Sequence, residues 1–308
     1  MEKRKFSRDA LIHCYNRTVD GSLLFYKKSD YLMFFTVICV AARRYNIIIV
    51  KLCFMPDHYH ISCFCNNSRD LAAFIRFIES VYAQEFNYVC KRKGRLFTKS
   101  FGSAPKYKSK SIRTNLIYVD NNPVERYLCK HAEEYRWNFL AYSDSDNPYS
   151  EKINMRTAPT RLKNTMQMVV MLNNDGRFLR HNTLSWMFAG LNSSQTESLI
   201  DFIISTYSVI DYQFSIKTFG SYENVLISDH ATAGSEHDIN EYHHGKNDDV
   251  YAKMMKILLD EKHVSDIHEI ISMSVDIKIW LYNYLTGKTE ATSKQIEGFL
   301  HMGAKLKD

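Results

Sequence analysis

The spacing of apolar and polar positions divides the first 122 residues into alternating strands and helices. Strand-type runs, rich in β-branched and aromatic residues, cover 9–19, 46–54, 58–64 and 95–107. Runs with the helical period cover 31–45, 69–90 and 112–121. The resulting order, β-α-β-β-α-β-α, predicts an α+β, ferredoxin-like domain, an antiparallel sheet with helices on one face, with one added helix.

The pattern changes after a polar stretch, Ser143 to Ser150, from which point only helix-type periods recur. We predict a first domain over residues 1–145, a linker over 146–156 and a mainly α-helical domain over 157–308. A helix-turn-helix is one interpretation of the last part, with helices over 264–271 and 276–285. A regulatory or protein-binding role is the other.

The charge is distributed unequally between the two halves. Residues 1–150 hold 24 Lys and Arg against 14 Asp and Glu, a net charge of +10. Residues 151–308 hold 16 Lys and Arg against 20 Asp and Glu, a net charge of −4. The first half therefore favours a polyanionic partner.

Nine basic residues and no acidic residue lie between positions 91 and 113. Phe97, Phe101 and Tyr107 alternate with them, which is typical of backbone contacts combined with base stacking on a single strand. A merely solvated face is the alternative. The predicted nucleic-acid-binding residues are Lys91, Arg92, Lys93, Arg95, Lys99, Lys106, Lys108, Lys110 and Arg113.

Two histidines, His58 and His60, flank Tyr59 just after a Pro-Asp turn. On a strand, residues i and i+2 point to the same face, about 7 Å apart along the chain, so the two imidazoles can share one metal ion. Taken alone, such a pair is more often part of a core than a metal site. Tyr59 is a weaker candidate nucleophile, because alternation points it away from the histidines.

The helix over 112–121 presents Thr114, Tyr118 and Asn122 four residues apart on one face. If this helix lies against the histidine pair, the Asn122 carbonyl oxygen can join the same cation, with Tyr118 beside it. The local pattern also allows Asn122 to be the N-cap, and Pro123 the first residue, of a new helical turn.

Other groups carry less information. His237, His243 and His244 lie in a polar loop that matches no strong metal-binding spacing. All seven cysteines lie in the first 130 residues without a CxxC pair, which favours reduced core thiols. There is no signal peptide pattern and no apolar run of about 20 residues, so we expect no membrane segment and a cytoplasmic protein.

The motif MPDHYHIS, residues 55–62, resembles the HUH motif, and YVDNNPV, residues 118–124, resembles the tyrosine-helix motif of the REP-associated tyrosine transposases. The resemblance covers roughly residues 8–142. It implies Tyr118 as the nucleophile and His58, His60 and Asn122 as ligands of Mg²⁺ or Mn²⁺. Asp120 stands where the family commonly has histidine, and Tyr59 where it usually has an aliphatic residue.

The sequence therefore predicts a metal-dependent transposase. The enzyme would cleave and rejoin single-stranded, hairpin-bearing DNA through a covalent 5′-phosphotyrosine and would be nucleoid-associated in a bacterial-type cell. Monomer and homodimer both stay open. A different class, a domesticated DNA-binding protein that has lost turnover, is the alternative.

Overall fold

The computed structural model describes residues 6–232 and 247–303. The strands are β1 (Leu11–Arg17), β2 (Ile48–Phe54), β3 (His58–Phe64) and β4 (Gly102–Lys106). The helices of the first part are α1 (Lys28–Arg44), α2 (Ser68–Val89) and α3 (Ser109–Glu125), followed by short 3-10 turns at Ala132–Glu134, Arg136–Asn138 and Leu140–Ser143. The helices of the second part are α4 (Thr160–Asn174), α5 (His181–Phe188), α6 (Ser193–Tyr207), α7 (Tyr212–Phe219), α8 (Tyr222–Thr232), α9 (Asp249–Asp260), α10 (Glu269–Ser272), α11 (Val275–Lys288) and α12 (Ser293–Phe299).

The four strands form one sheet in the order β2-β3-β1-β4, with every neighbouring pair antiparallel. This order and the β-α-β-β-α-β connections are those of a ferredoxin-like fold, so the predicted α+β class is confirmed. β4 pairs only with β1 and forms one edge of the sheet. It covers only the last part of the strand predicted over 95–107.

Helices cover both faces of the sheet, whereas the sequence predicted one. The side chains of β3 alternate: Tyr59, Ile61 and Cys63 belong to the core formed with α1 and α2. On the opposite face, Tyr118 and Val119 of α3 form an apolar cluster with Cys53 and Met55. The difference arises because α1 and α2 are the crossover connections, while α3 follows the last strand and is free to return on the other side.

α3 is longer than the helix predicted over 112–121, since it runs from Ser109 through Pro123 to Glu125. Pro123 lacks a backbone N–H and usually ends or kinks a helix, and this one ends two residues later. Asn122 therefore lies inside α3, and its predicted alternative role as the N-cap of a new turn is wrong.

The second part packs directly on α1, which contacts α2 on one side and α5 and α6 on another. One continuous hydrophobic core includes Phe34 of α1, Ile203 of α6 and Phe299 of α12. A Cβ atom added to Gly298 would lie 2.5 Å from the Gly21 backbone oxygen, so α12 approaches the first part backbone to backbone. The domain boundaries stay a prediction, but the two parts share their interior.

Residues 146–156 contribute to this packing: the Tyr149 amide and the Ser150 hydroxyl both donate to Asp201 of α6. In the predicted helix-turn-helix, the first helix forms only as the four-residue α10. The loop histidines His237, His243 and His244 lie outside the described residues. Among the helices described, none has the length and apolar character needed to cross a membrane.

Candidate active site

The histidine pair lies on β3, on the face that α3 covers. His58 and His60 are both buried, and their ring centroids are 4.9 Å apart with the ring planes nearly perpendicular. Ser62 follows on the same face and donates a hydrogen bond to Asn115 of α3. The alternation of β3 thus brings both imidazoles together beneath the helix, as the sequence predicted.

Each of these histidines has a partner at its Nδ1 atom. His58 Nδ1 donates to Asp57 Oδ1 at 2.6 Å, and His60 Nδ1 lies 3.0 Å from Nε2 of His13. Burial acts to raise the pKa of Asp57, but the hydrogen bond and charge of His58 and the charge of Arg126 hold it below its usual value. With Nδ1 engaged, each imidazole has Nε2 as the atom it can offer to a ligand.

Tyr118 of α3 lies against the pair. Its ring centroid is 5.5 Å from that of His60, with the planes nearly perpendicular, and 5.7 Å from that of His13. Asn122 is one turn further along the same helix, and both side chains are buried. The amide nitrogen of Asn122 is a buried polar atom without a hydrogen-bond partner among the described residues.

Two neighbours of the site were not predicted from the sequence: His13 and Tyr15 of β1. They point to the α3 face while Ile12 and Cys14 enter the opposite core, a period-two alternation that was visible in the strand. Burial, with the charges of His60 and Lys106, holds the pKa of His13 well below its usual value, so the ring is neutral. The Tyr15 ring centroid is 6.4 Å from that of His60.

Gly102 makes room for Tyr15. A Cβ atom at this position would lie 2.2 Å from the Tyr15 ring, closer than any real contact. The edge strand β4 therefore carries a glycine where the phenol lies across it.

The two departures from the family pattern have separate explanations. Asp120 points away from the histidines and forms a buried ion pair with Lys51 of β2. Burial raises the pKa of Asp120, and the Lys51 charge opposes this. Tyr59 faces the other side of the sheet, where its hydroxyl donates to Glu79 of α2 at 2.7 Å. The side chains of Asp120 and Tyr59 thus both lie away from His58 and His60.

The predicted basic residues lie along the edge formed by β4 and the segments that flank it. Two are less available than the sequence suggested: Arg92 donates to Asn87, Gly94 and Arg95, and Lys106 is half-buried, which lowers its pKa. Phe97 and Phe101 are buried, so the prediction that they stack on bases is wrong, and only Tyr107 of the three aromatics is exposed. The residues whose side chains are exposed are Lys91, Lys93, Arg95, Lys99, Lys108, Lys110 and Arg113.

The arrangement brings two imidazoles and a phenol together, with the buried amide of Asn122 one helical turn from the phenol. Imidazole nitrogens and an amide oxygen are a suitable donor set for a divalent cation, and the Asn122 side chain that would supply the oxygen is buried on the same helix as Tyr118. A phenol beside that donor set is a potential nucleophile. The cluster is therefore a candidate site for a metal ion and a nucleophile.

Residues 11–122 match the family model described as "Transposase IS200 like". The matched range begins with β1 and ends at Asn122, so it contains both histidines and Tyr118. The resemblance to a transposase family is therefore confirmed over these residues.

A search of solved structures found a similar chain, a REP-associated tyrosine transposase bound to a REP hairpin, with 16% sequence identity and a TM-score of 0.41. The similarity covers 52% of this chain and 94% of the other. No curated protein matches the chain significantly.

Proposed function

We propose that this protein cleaves and rejoins single-stranded DNA by forming a covalent phosphotyrosine at Tyr118. The observation that carries the proposal is the position of the Tyr118 ring, 5.5 Å from His60 beside the adjacent His58. The match of residues 11–122 to a transposase family supports the same reaction class.

His58, His60 and Asn122 would hold the cation, for which the resemblance implies Mg²⁺ or Mn²⁺. A cation bound there would polarise the phosphodiester and offset the negative charge of the transition state. The protein's own contribution is to orient the ligands: Asp57 and His13 fix the two imidazoles, and α3 sets the phenol beside them.

In the cleavage step, the Tyr118 oxygen attacks the phosphorus, and the new bond replaces the one to the 3′ oxygen. The phenolic proton is lost, the 3′ oxygen leaves and takes up a proton, and the 5′ end stays on the enzyme. A free tyrosine, with a pKa near 10, is only about one-thousandth ionised at pH 7, so the phenol needs a charge-stabilised target. The phosphotyrosine conserves the energy of the broken bond, and attack by another 3′-hydroxyl reverses the step.

The exposed basic residues beside β4 would contact the phosphates of the substrate. They lie at the sheet edge next to β1, the strand that supplies His13 and Tyr15. The resemblance favours a strand with a hairpin. Since Tyr118 and both histidines are buried, we expect neighbouring segments to move when DNA enters.

The test is an adduct assay. Purified protein is incubated with hairpin-bearing single-stranded DNA and Mn²⁺ or Mg²⁺, and covalent complexes are resolved by denaturing electrophoresis. Tyr118→Phe is expected to abolish the adduct, whereas Tyr15→Phe, which changes the other phenol near His60, is expected to keep it.

Cleavage by Tyr118→Phe at the rate of the wild type would refute the assignment. An adduct lost in Tyr15→Phe but kept in Tyr118→Phe would transfer the role to Tyr15. Tight, chelator-insensitive binding of the hairpin with no adduct in any variant would support the alternative function, a DNA-binding protein without turnover.

A further inference from the structure

A second group of potential metal ligands lies away from the histidine pair, where the 3-10 turn Ala132–Glu134 meets α8. His131, Glu133 and His230 each offer one ligand atom, and these atoms all lie within 4.8 Å of one another. His230 Nε2 is 3.0 Å from Glu133 Oε1, and the His131 and His230 ring centroids are 4.5 Å apart. Three ligand-type groups from two separate elements thus converge.

We propose that His131, Glu133 and His230 bind a zinc-type divalent cation and thereby fasten α8 to the first part of the chain. Ligand atoms at zinc's usual bond lengths of about 2.0–2.1 Å lie roughly 3.3 Å apart in a tetrahedron. The separation of His230 from Glu133 is already near this value, and modest side-chain rotation brings in His131.

The donor set selects the class of metal. Two imidazoles and one carboxylate form a set typical of zinc sites with three protein ligands, which leaves the fourth position for water. Mg²⁺ and Ca²⁺ prefer oxygen ligands, so they are poor candidates here.

A buried acid lies next to this group of ligands in the chain. Asp229, which precedes His230, is fully buried, and neither of its carboxylate oxygens has a hydrogen-bond partner among the described residues.

The site has a mechanical consequence for α3. Asn121, between Tyr118 and Asn122 on that helix, donates to the Asp229 backbone oxygen at 2.8 Å. A cation that ties His230 to His131 and Glu133 would hold α8, and with it this contact to the helix that carries the proposed nucleophile.

The experiment is a zinc titration of the full chain without DNA, by calorimetry and by competition with a chromophoric chelator. The wild type is expected to bind one more equivalent of zinc than His230→Ala, or to bind that equivalent at least about 100-fold more tightly. Even residues that only hydrogen-bond to a metal ligand change affinity by about 10- to 100-fold. Zinc should also raise the melting temperature of the wild type more than that of the variant.

The matched control is His263→Ala. His263 Nε2 is 3.2 Å from Glu261, and this partly exposed histidine–carboxylate pair lacks a third ligand among the described groups. This variant should bind zinc as the wild type does. Glu133→Gln, which keeps size and removes the charge, should weaken zinc binding as His230→Ala does.

Equal zinc stoichiometry and affinity in the wild type and His230→Ala would overturn the proposal, as would equal losses in His230→Ala and His263→Ala. The result does not depend on the proposed DNA chemistry, because any metal bound at His58 and His60 contributes equally to the wild type and to His230→Ala. A failed adduct assay with a positive zinc difference would refute only the proposed function.

Discussion

Among the residues that the structure describes, two groups of buried histidines differ in chemistry. In the first, His13, His58 and His60 lie with Tyr118 beneath α3. In the second, the fully buried Asp30 at the start of α1 accepts hydrogen bonds from His181 of α5 at 2.9 Å and His268, just before α10, at 3.0 Å. The first cluster gathers imidazoles around a phenol, whereas the second surrounds a fully buried carboxylate with two histidines.

The contrast indicates separate uses for buried histidine. Asp30 also accepts from the Tyr26 and Lys27 amides, so its carboxylate has donors on both oxygens. Burial acts to raise the pKa of Asp30, but the His268 and His181 charges and hydrogen bonds hold it well below its usual value. Such a group stabilises the contact between the two parts of the chain. The β3 cluster instead holds the ligand atoms of the metal site that we propose.

Removing the charge of Asp30 should have the largest effect on stability. We expect Asp30→Asn to lower the free energy of unfolding by about 3–5 kcal/mol, the usual cost of leaving one partner of a buried ion pair uncompensated. Urea denaturation of the wild type and the variant at pH 7 measures this difference in the free energy of unfolding. Asp57→Asn, the matched change beside His58, should cost less. A larger loss for Asp57→Asn would break the distinction between the two clusters.

The Asp30 cluster should also make stability depend on pH in the alkaline range. Burial acts to lower the pKa of His181, but hydrogen bonds to Asp30 and Glu85 raise it from 6.5 to about 9. A raised folded-state pKa contributes stability that is complete below pH 6.5 and is lost as the pH rises through 9. The loss should be about 3 kcal/mol, since one pKa unit corresponds to about 1.4 kcal/mol.

Unfolding of the wild type and His181→Gln at pH 6, 7.5 and 9 tests this. The stability difference between them should shrink as the pH rises. A stability difference that stays constant or grows between pH 6.5 and 9 would contradict an ion pair between protonated His181 and Asp30.

In the β3 cluster, the smallest and most specific effect should come from His13. We expect His13→Gln to weaken Mn²⁺ binding by about tenfold or more, because residues that hydrogen-bond to metal ligands orient them. Calorimetric titration without DNA measures the affinity. Tyr15→Phe is the control and should bind Mn²⁺ as the wild type does; unchanged binding in His13→Gln would remove His13 from its proposed positioning role.

Much of the first part could be predicted from local pattern. The alternation of apolar side chains around Tyr59 predicted strand β3, and the helical spacing of Leu71, Phe74 and Ile78 predicted α2. Both patterns indicate which side of the element is buried. The cluster of His58, His60 and Tyr118 was also anticipated, because strand and helix periods fix which side chains share a face. Their catalytic and metal-binding roles stay predictions.

What escaped prediction depends on tertiary contact. Nothing local reveals that Asp30 pairs with His181 and His268, which are 151 and 238 residues away in the chain. Phe97 and Phe101 were predicted to stack on bases because they alternate with basic residues, but both side chains are buried in the hydrophobic core. α7 and α8 were missed. α8 lacks a clear apolar side, so its position depends on its contacts with α3, α7 and the turn at Ala132–Glu134.

Most of the surface of α1 is buried. The sheet and α2 pack against one side of this helix, and α5 and α6 pack against another. Cutting the chain after residue 145 would remove α5 and α6, expose apolar side chains of α1 to solvent and take both histidine partners away from Asp30. The transposase-like segment is thus not a detachable module. A segment of this chain that folds on its own would therefore have to include the helices that follow residue 145.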